Sequence, residues 1–239
     1  MRPWNEVKII DCKEPLVSLP SSIHCLNPHP YLSLGAPYGE GVDPWRLRID
    51  VVRRLLIAQE YLSFDDSNLK FAVFDAWRPI PVQSFMIDYT IEQECRQRGI
   101  NPELKENLSQ LNDVKKLVNK YWAQPSFDQC TPPPHSTGAA VDLTLADVNG
   151  LPIDMGGPID AIGAISEPNY YAKYGAQPSS SLYDTRRKLL LKVMSKAGFI
   201  QHPHEWWHYS FGDQLWAWTN CVSQAIYGAW AEDNKSMIA

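Results

Sequence analysis

The chain predicts an α+β fold, a single domain with a central antiparallel sheet covered by helices. Three observations lead there. Helix and strand signals both occur but do not alternate strictly, as a parallel α/β sheet would require. No internal repeat, low-complexity tract or linker divides the 239 residues. A content of 44% apolar and 11% aromatic residues is ample for one buried core.

Residues 1–42 are rich in Pro, Ser, Gly and Tyr and only weakly periodic, which predicts a loop-rich arm with short strands. Asp43-Pro44 has the form of an N-cap followed by a first-turn proline. Leu47, Val51, Leu55, Ala58 and Leu62 follow at helical spacing, so a helix of roughly five turns is expected from residue 43. Lys70 to Asp75 is a short apolar, β-prone run, and Trp77-Arg78-Pro79 ends it, leaving Arg78 at a strand end. Helices are expected over about 81–98, closed by Gly99, and over about 102–122, together forming a covering layer.

A strand over about 139–145 follows the stiff Thr131-Pro132-Pro133-Pro134 segment. Asn149-Gly150 predicts that 139–155 folds as an antiparallel hairpin. Residues 156–178 read as a long functional loop. Ser181-Leu-Tyr-Asp184 resembles a capping box for the last helix, which has an apolar face of Leu189, Leu190, Val193 and Met194 and ends before Gly198.

Charge narrows the function. With 22 Lys+Arg against 27 Asp+Glu the net charge is −5, so no broad basic surface is implied and nucleic acid is not an expected partner. The N-terminus lacks the apolar core of a signal peptide, and no run is long enough to span a bilayer. A cytoplasmic protein without a membrane partner is expected, and homo-oligomerisation is left open. The five cysteines are scattered without a Cys-x-x-Cys pair, which suggests neither a disulfide framework nor a thiolate metal cluster.

The candidate seat of chemistry is His204-Glu205-Trp206-Trp207-His208, where two histidines flank a carboxylate at metal-ligand spacing. On a helix, His204 and His208 would share one face and bind Zn²⁺ with Glu205 as base. Pro203 opposes that reading, because a proline inside a helix costs about 3 kcal/mol. The aromatic run Trp206, Trp207, Tyr209 and Phe211 suits a strand over 206–211 with Glu205 in the turn that enters it. Only Glu205 and His208 then remain functional, and His135 and Asp142 offer two more ligands. Gly138 between them leaves room for close backbone approach or for a substrate. Two imidazoles and one carboxylate leave Zn²⁺ an open fourth position, where a water has its pKa lowered to about 7 and Glu205 can take its proton.

His135-Ser-Thr-Gly138-Ala-Ala140-Val-Asp142 followed by Glu205-Trp-Trp-His208 resembles the signature of VanX-type D-alanyl-D-alanine dipeptidases, relatives of D,D-carboxypeptidases and Hedgehog-like domains. Asp75-Ala-Trp-Arg78-Pro79 and Met155-Gly-Gly-Pro-Ile-Asp160 resemble two further segments of that family, so four motifs stand in family order within 70–211. The resemblance implies one Zn²⁺ per chain on His135, Asp142 and His208, Glu205 as catalytic base, Arg78 over the oxyanion and Asp160 at the substrate's amino group. The implied reaction is hydrolysis of a small D,D-dipeptide, D-Ala-D-Ala, to two D-alanines.

Pro133 stands where the family has a serine at the substrate end of the site, so recognition of the substrate carboxylate would fall to Ser136 or Thr137. His202 and His204 have no role in this pattern, and His24 and His29 in the arm have no partner motif. Two neighbouring functions compete. A D,D-carboxypeptidase acting on peptidoglycan stem peptides would need no ammonium anchor, and a Hedgehog-like binding domain would need neither Glu205 nor Arg78.

Overall fold

The structure, a computed structural model, describes residues 2–175 and 177–230. In chain order the strands are β1 (Lys8–Ile9), β2 (Leu16–Ser18), β3 (His24–Cys25), β4 (Arg46–Arg48), β5 (Lys70–Asp75), β6 (Ala140–Ala146), β7 (Ile200–Gln201), β8 (His208–Ser210) and β9 (Gln224–Ala225). The helices are α1 (Pro30–Ser33), α2 (Ile49–Asp65), α3 (Ile80–Gln97), α4 (Leu108–Tyr121), α5 (Tyr170–Tyr174), α6 (Ser180–Lys196) and α7 (Gln214–Thr219). Five strands form one sheet in the order β3-β5-β6-β8-β7. The fold is α+β as expected, but the sheet is mixed: β3, from the N-terminal arm, adds to β5 in parallel, while the other neighbours are antiparallel.

Successive side chains on a strand point to opposite faces. Phe71, Val73, Val141, Leu143, Leu145 and Tyr209 share one face, which α2 and α6 bury with residues such as Leu55, Leu62, Leu190 and Val193. Truncating one of these, for instance Leu143→Ala, costs about 2–5 kcal/mol. Asp142, Thr144, His208 and Ser210 occupy the alternate positions and face the other way. There α3 and α4 form a second apolar cluster with Tyr31 and Trp122, against which Phe74 packs. These two helices are the covering layer, and the polar face of the sheet lies beneath them.

Several local expectations change. The helix expected from residue 43 begins at Ile49, because Arg46–Arg48 pairs antiparallel with Leu16–Ser18. Asp43 instead accepts hydrogen bonds from the Trp45 amide and the Ser18 hydroxyl. Helix α4 begins at Leu108, about two turns late, after a 3-10 turn at Lys105–Asn107.

The Asn149-Gly150 turn forms, but the hairpin stops at a single bridge between Ala146 and Pro152. Strand β8 already occupies that edge of β6 further on, and Pro152 has no N–H to extend a ladder. The capping box does not form: α6 starts at Ser180, and no side chain caps its N-terminus. The loop expected over 156–178 contains a 3-10 turn and α5, and Ala176 lies outside the described residues. Among the described residues no helix is long and apolar enough to cross a membrane.

Candidate active site

The site is assembled where β5, β6 and β8 meet. Asp142 and His208 are register partners on β6 and β8, so their side chains emerge together on the polar face. His135 comes from a 3-10 turn, Pro134–Thr137, that Gly138 closes at φ +71°, a left-handed conformation that favours glycine. A Cβ on Gly138 would collide with the Leu16 side chain, so the space beside this glycine is filled by the arm and not by a substrate. Arg48, fully buried, ties the same turn down through the Thr137 carbonyl at 2.8 Å.

The donor atoms of His135, Asp142 and His208 converge. His135 Nε2 lies 3.1 Å from His208 Nδ1 and 3.2 Å from Asp142 Oδ2, and His208 Nδ1 lies 3.0 Å from Asp142 Oδ1. Donors about 2.0–2.1 Å from a tetrahedral Zn²⁺ stand about 3.3 Å apart, so this triangle fits one such ion. Asp142 Oδ1 is buried without a hydrogen-bond partner, as expected of an oxygen turned toward a cation. Behind the donors, His135 Nδ1 meets the Ala76 carbonyl at 2.8 Å, a contact that directs Nε2 into the cluster. Burial alone would raise the pKa of Asp142, but His135 and His208 hold it well below the usual carboxylate range.

Arg78 sits at the end of β5. Its Nε and Nη2 donate to Asp75 Oδ2 at 3.0 and 2.6 Å, and Nη1 donates to Gln83 Oε1 at 2.9 Å. Asp75 reaches this face through a β-bulge: Val73 pairs with Leu143, yet Asp75 pairs with Asp142, leaving an extra residue on β5. Strict alternation would have turned Asp75 into the core with Phe71 and Val73. Arg78 Nη2 also lies 3.5 Å from Asp142 Oδ2, beside the metal donors.

Glu205, in the turn before β8, has Oε2 3.7 Å from His208 Nδ1 and Oε1 3.5 Å from His202 Nδ1. Burial and the nearby Asp142 charge push its carboxyl up to about 8. Asp160 has φ +64°, unusual for a residue with a side chain, and its Oδ2 accepts the Tyr31 hydroxyl at 2.8 Å. Burial, with Asp142 next in effect, pushes Asp160 up to about 7. Arg78, His135, Asp142, Asp160, Glu205 and His208 line one cavity. It adjoins a groove of ≈ 760 Å³ and shares with it the walls Arg2, Trp122, Ala123, Pro134 and His202.

Ser136, expected at the substrate carboxylate, is turned away from this cavity. Its hydroxyl donates to the Arg78 carbonyl at 2.7 Å, and the side chain is buried. Thr137, the alternative, donates to the Pro134 carbonyl. His204 stands outside the metal cluster, its ring 6.5 Å from Tyr121. His202 is not incidental: it is buried against Glu205 and lines the cavity. Desolvation, then the nearby His208 and Arg2, hold its pKa well below the ordinary imidazole value, so it is neutral. His29 has a partner after all, with Nε2 3.5 Å from Asp75 Oδ1.

Arg2, Tyr31, Gln83 and Trp122 join the site without having been singled out in the sequence. Arg2 and Tyr31 lie in the arm, where no motif or periodicity marks them. Gln83 and Trp122 were visible only as parts of the covering helices.

A convergent His-Asp-His cluster with an adjacent buried carboxylate has the form of a metallohydrolase site. The chain belongs to the D-ala-D-ala dipeptidase family of peptidases, whose family model matches residues 44–227. It is 43% identical over 231 residues to the D-alanyl-D-alanine dipeptidase of Synechocystis sp., covering 91% of this chain and 90% of that one. The D-alanyl-D-alanine dipeptidase of Enterococcus faecium is 26% identical over 167 residues, 69% of this chain and 72% of that one. Two solved structures are also similar. One is a mutant of the vancomycin-resistance D,D-pentapeptidase VanY with Zn(II), at TM-score 0.45, 15% identity and coverage of 78% of this chain and 88% of that one. The other is VanYB in complex with D-alanine-D-alanine, at TM-score 0.44 with the same identity and coverage.

Proposed function

We propose that the protein hydrolyses D-Ala-D-Ala to two D-alanines, using one Zn²⁺ per chain held by His135, Asp142 and His208. The observation that carries this reading is the donor triangle with the Glu205 carboxylate 3.7 Å from one of its corners. The substrate assignment is supported by the 43% identity to a dipeptidase of that name. When bound, the metal supplies Lewis acidity, polarising the scissile carbonyl and lowering the pKa of water.

Glu205, 3.7 Å from His208 Nδ1, takes a proton from the attacking water and passes it to the leaving nitrogen. Arg78, locked by Asp75 and Gln83, presents its guanidinium where the carbonyl oxygen gains negative charge. Asp160, braced by the Tyr31 hydroxyl, meets the dipeptide's free ammonium. The five cysteines are free, which fits a reducing cytoplasm.

Release of D-alanine from D-Ala-D-Ala, compared with its N-acetylated form, tests the reading. Rapid release from the free dipeptide and little from the acylated one is expected. Equal rates on both overturn the dipeptidase assignment in favour of a carboxypeptidase.

A further inference from the structure

We propose that Arg2 binds the C-terminal carboxylate of the dipeptide, which makes the N-terminal arm a wall of the substrate pocket. This rests on the dipeptidase reading above. A free dipeptide carries an anion at one end and a cation at the other, and a site that strips water from both must meet each with opposite charge. Two arginines line the cavity. Arg78 gives most of its fork to Asp75, Gln83 and Tyr31, and what remains faces the carbonyl oxygen in the proposed mechanism. Arg2 donates to the Tyr121 carbonyl at 2.9 Å, and among the described residues it has no ion pair. The rest of its guanidinium fork, suited to a carboxylate, is available to a ligand.

The two charges are also in the right order. The Arg2 guanidinium stands 5.6 Å from the centre of the Trp4 ring, the Trp4 ring lies 5.7 Å from the His202 ring, and His202 Nδ1 lies 3.5 Å from Glu205 Oε1. A separate chain of contacts runs the other way: Asp160 accepts the Tyr31 hydroxyl at 2.8 Å, and that hydroxyl accepts from Arg78 at 3.2 Å. Glu205 and Arg78 flank the metal donors, lying 3.7 Å from His208 and 3.5 Å from Asp142 respectively. Arg2 and Glu205 act on each other electrostatically, whereas the arginine that acts on Asp160 is Arg78.

Peptide hydrolysis imposes the same order. Water's oxygen bonds to the carbonyl carbon, the C–N bond breaks, and the leaving nitrogen takes its proton from Glu205. That nitrogen is bonded to the α-carbon bearing the carboxylate. The group that protonates the leaving amine and the group that holds the carboxylate must stand on one side, and the ammonium anchor on the other.

The test measures kcat and KM of the zinc-loaded full chain on D-Ala-D-Ala and on its C-terminal amide, for wild type, Arg2→Ala and Arg2→Lys. The wild type should prefer the acid. Arg2→Ala should raise KM for the acid at least about 30-fold, as for a lost charged partner. Its loss of kcat/KM on the amide should be at least about tenfold smaller than on the acid, and Arg2→Lys should recover part of the preference. Undiminished acid preference in Arg2→Ala overturns the proposal, as does equal loss on acid and amide, which marks a structural role. If the wild type fails to cleave D-Ala-D-Ala, the dipeptidase reading itself falls, a result distinct from either.

Discussion

Asp142 and His208 face each other in register across β6 and β8, so two donors of the proposed metal site are set 3.0 Å apart by the backbone ladder itself. His135, from a turn that Arg48 ties to the arm, supplies the third. Single alanine substitutions at these three positions should abolish stoichiometric zinc by metal analysis. His204→Ala should retain it. Zinc at a thousandfold excess over its Kd should stabilise the wild type by about 4 kcal/mol, an increment missing from the three ligand variants in thermal unfolding. Full zinc occupancy in Asp142→Ala contradicts the assignment.

Glu205 touches the donor cluster without belonging to it. Glu205→Gln should keep one zinc per chain while D-alanine release falls by about 10²–10⁴-fold, the usual contribution of a general base. Wild-type turnover in that variant removes Glu205 from the mechanism.

The Arg78 fork holds Asp75 and Gln83, and in the proposed mechanism it also faces the carbonyl oxygen. Arg78→Lys keeps a charge but loses the planar fork, and kcat should fall about 10²–10³-fold, as when one oxyanion donor is removed. Arg78→Ala additionally leaves Asp75 buried without its main counter-charge, and chemical denaturation should register a loss of about 3–5 kcal/mol. A stable Arg78→Ala protein would mean that His29, His135 and Tyr38, which lie 3.5, 3.2 and 3.0 Å from the Asp75 carboxylate, suffice to hold Asp75.

As the proposed ammonium anchor, Asp160 would give the enzyme a pH dependence. Its carboxyl, pushed up to about 7, takes a proton as the pH falls through neutrality and would then lose its grip on an ammonium. KM for D-Ala-D-Ala should therefore rise below pH 7, by up to about tenfold per unit, whereas Asp160→Asn should show a high KM that varies little over the same range. Stability has the opposite sign. The folded state binds this proton more tightly than the unfolded chain does, so the contribution of Asp160 is greatest in acid and declines as pH rises from about 4 through about 7. Asp160→Asn should remove that decline in denaturation curves taken across the window.

Much of the site was legible locally. Pro203 and the aromatic run after it placed Glu205 in a turn and His208 on a strand, since proline and β-prone side chains act on the backbone within a few residues. Gly99 and Gly198 marked the ends of α3 and α6 by the same short-range logic, each at positive φ. Only the tertiary structure decided what depends on distant partners. Residues 46–48 became a strand because Leu16–Ser18 pairs with them, and Asp75 turned to the polar face through a bulge defined against β6. Tyr31 meets Asp160 across 129 residues of sequence, and Arg2 meets Tyr121 across 119. Residue types at family spacing point to the chemistry, but register and the docking of the arm are properties of the packed molecule, set by contacts that no local pattern encodes.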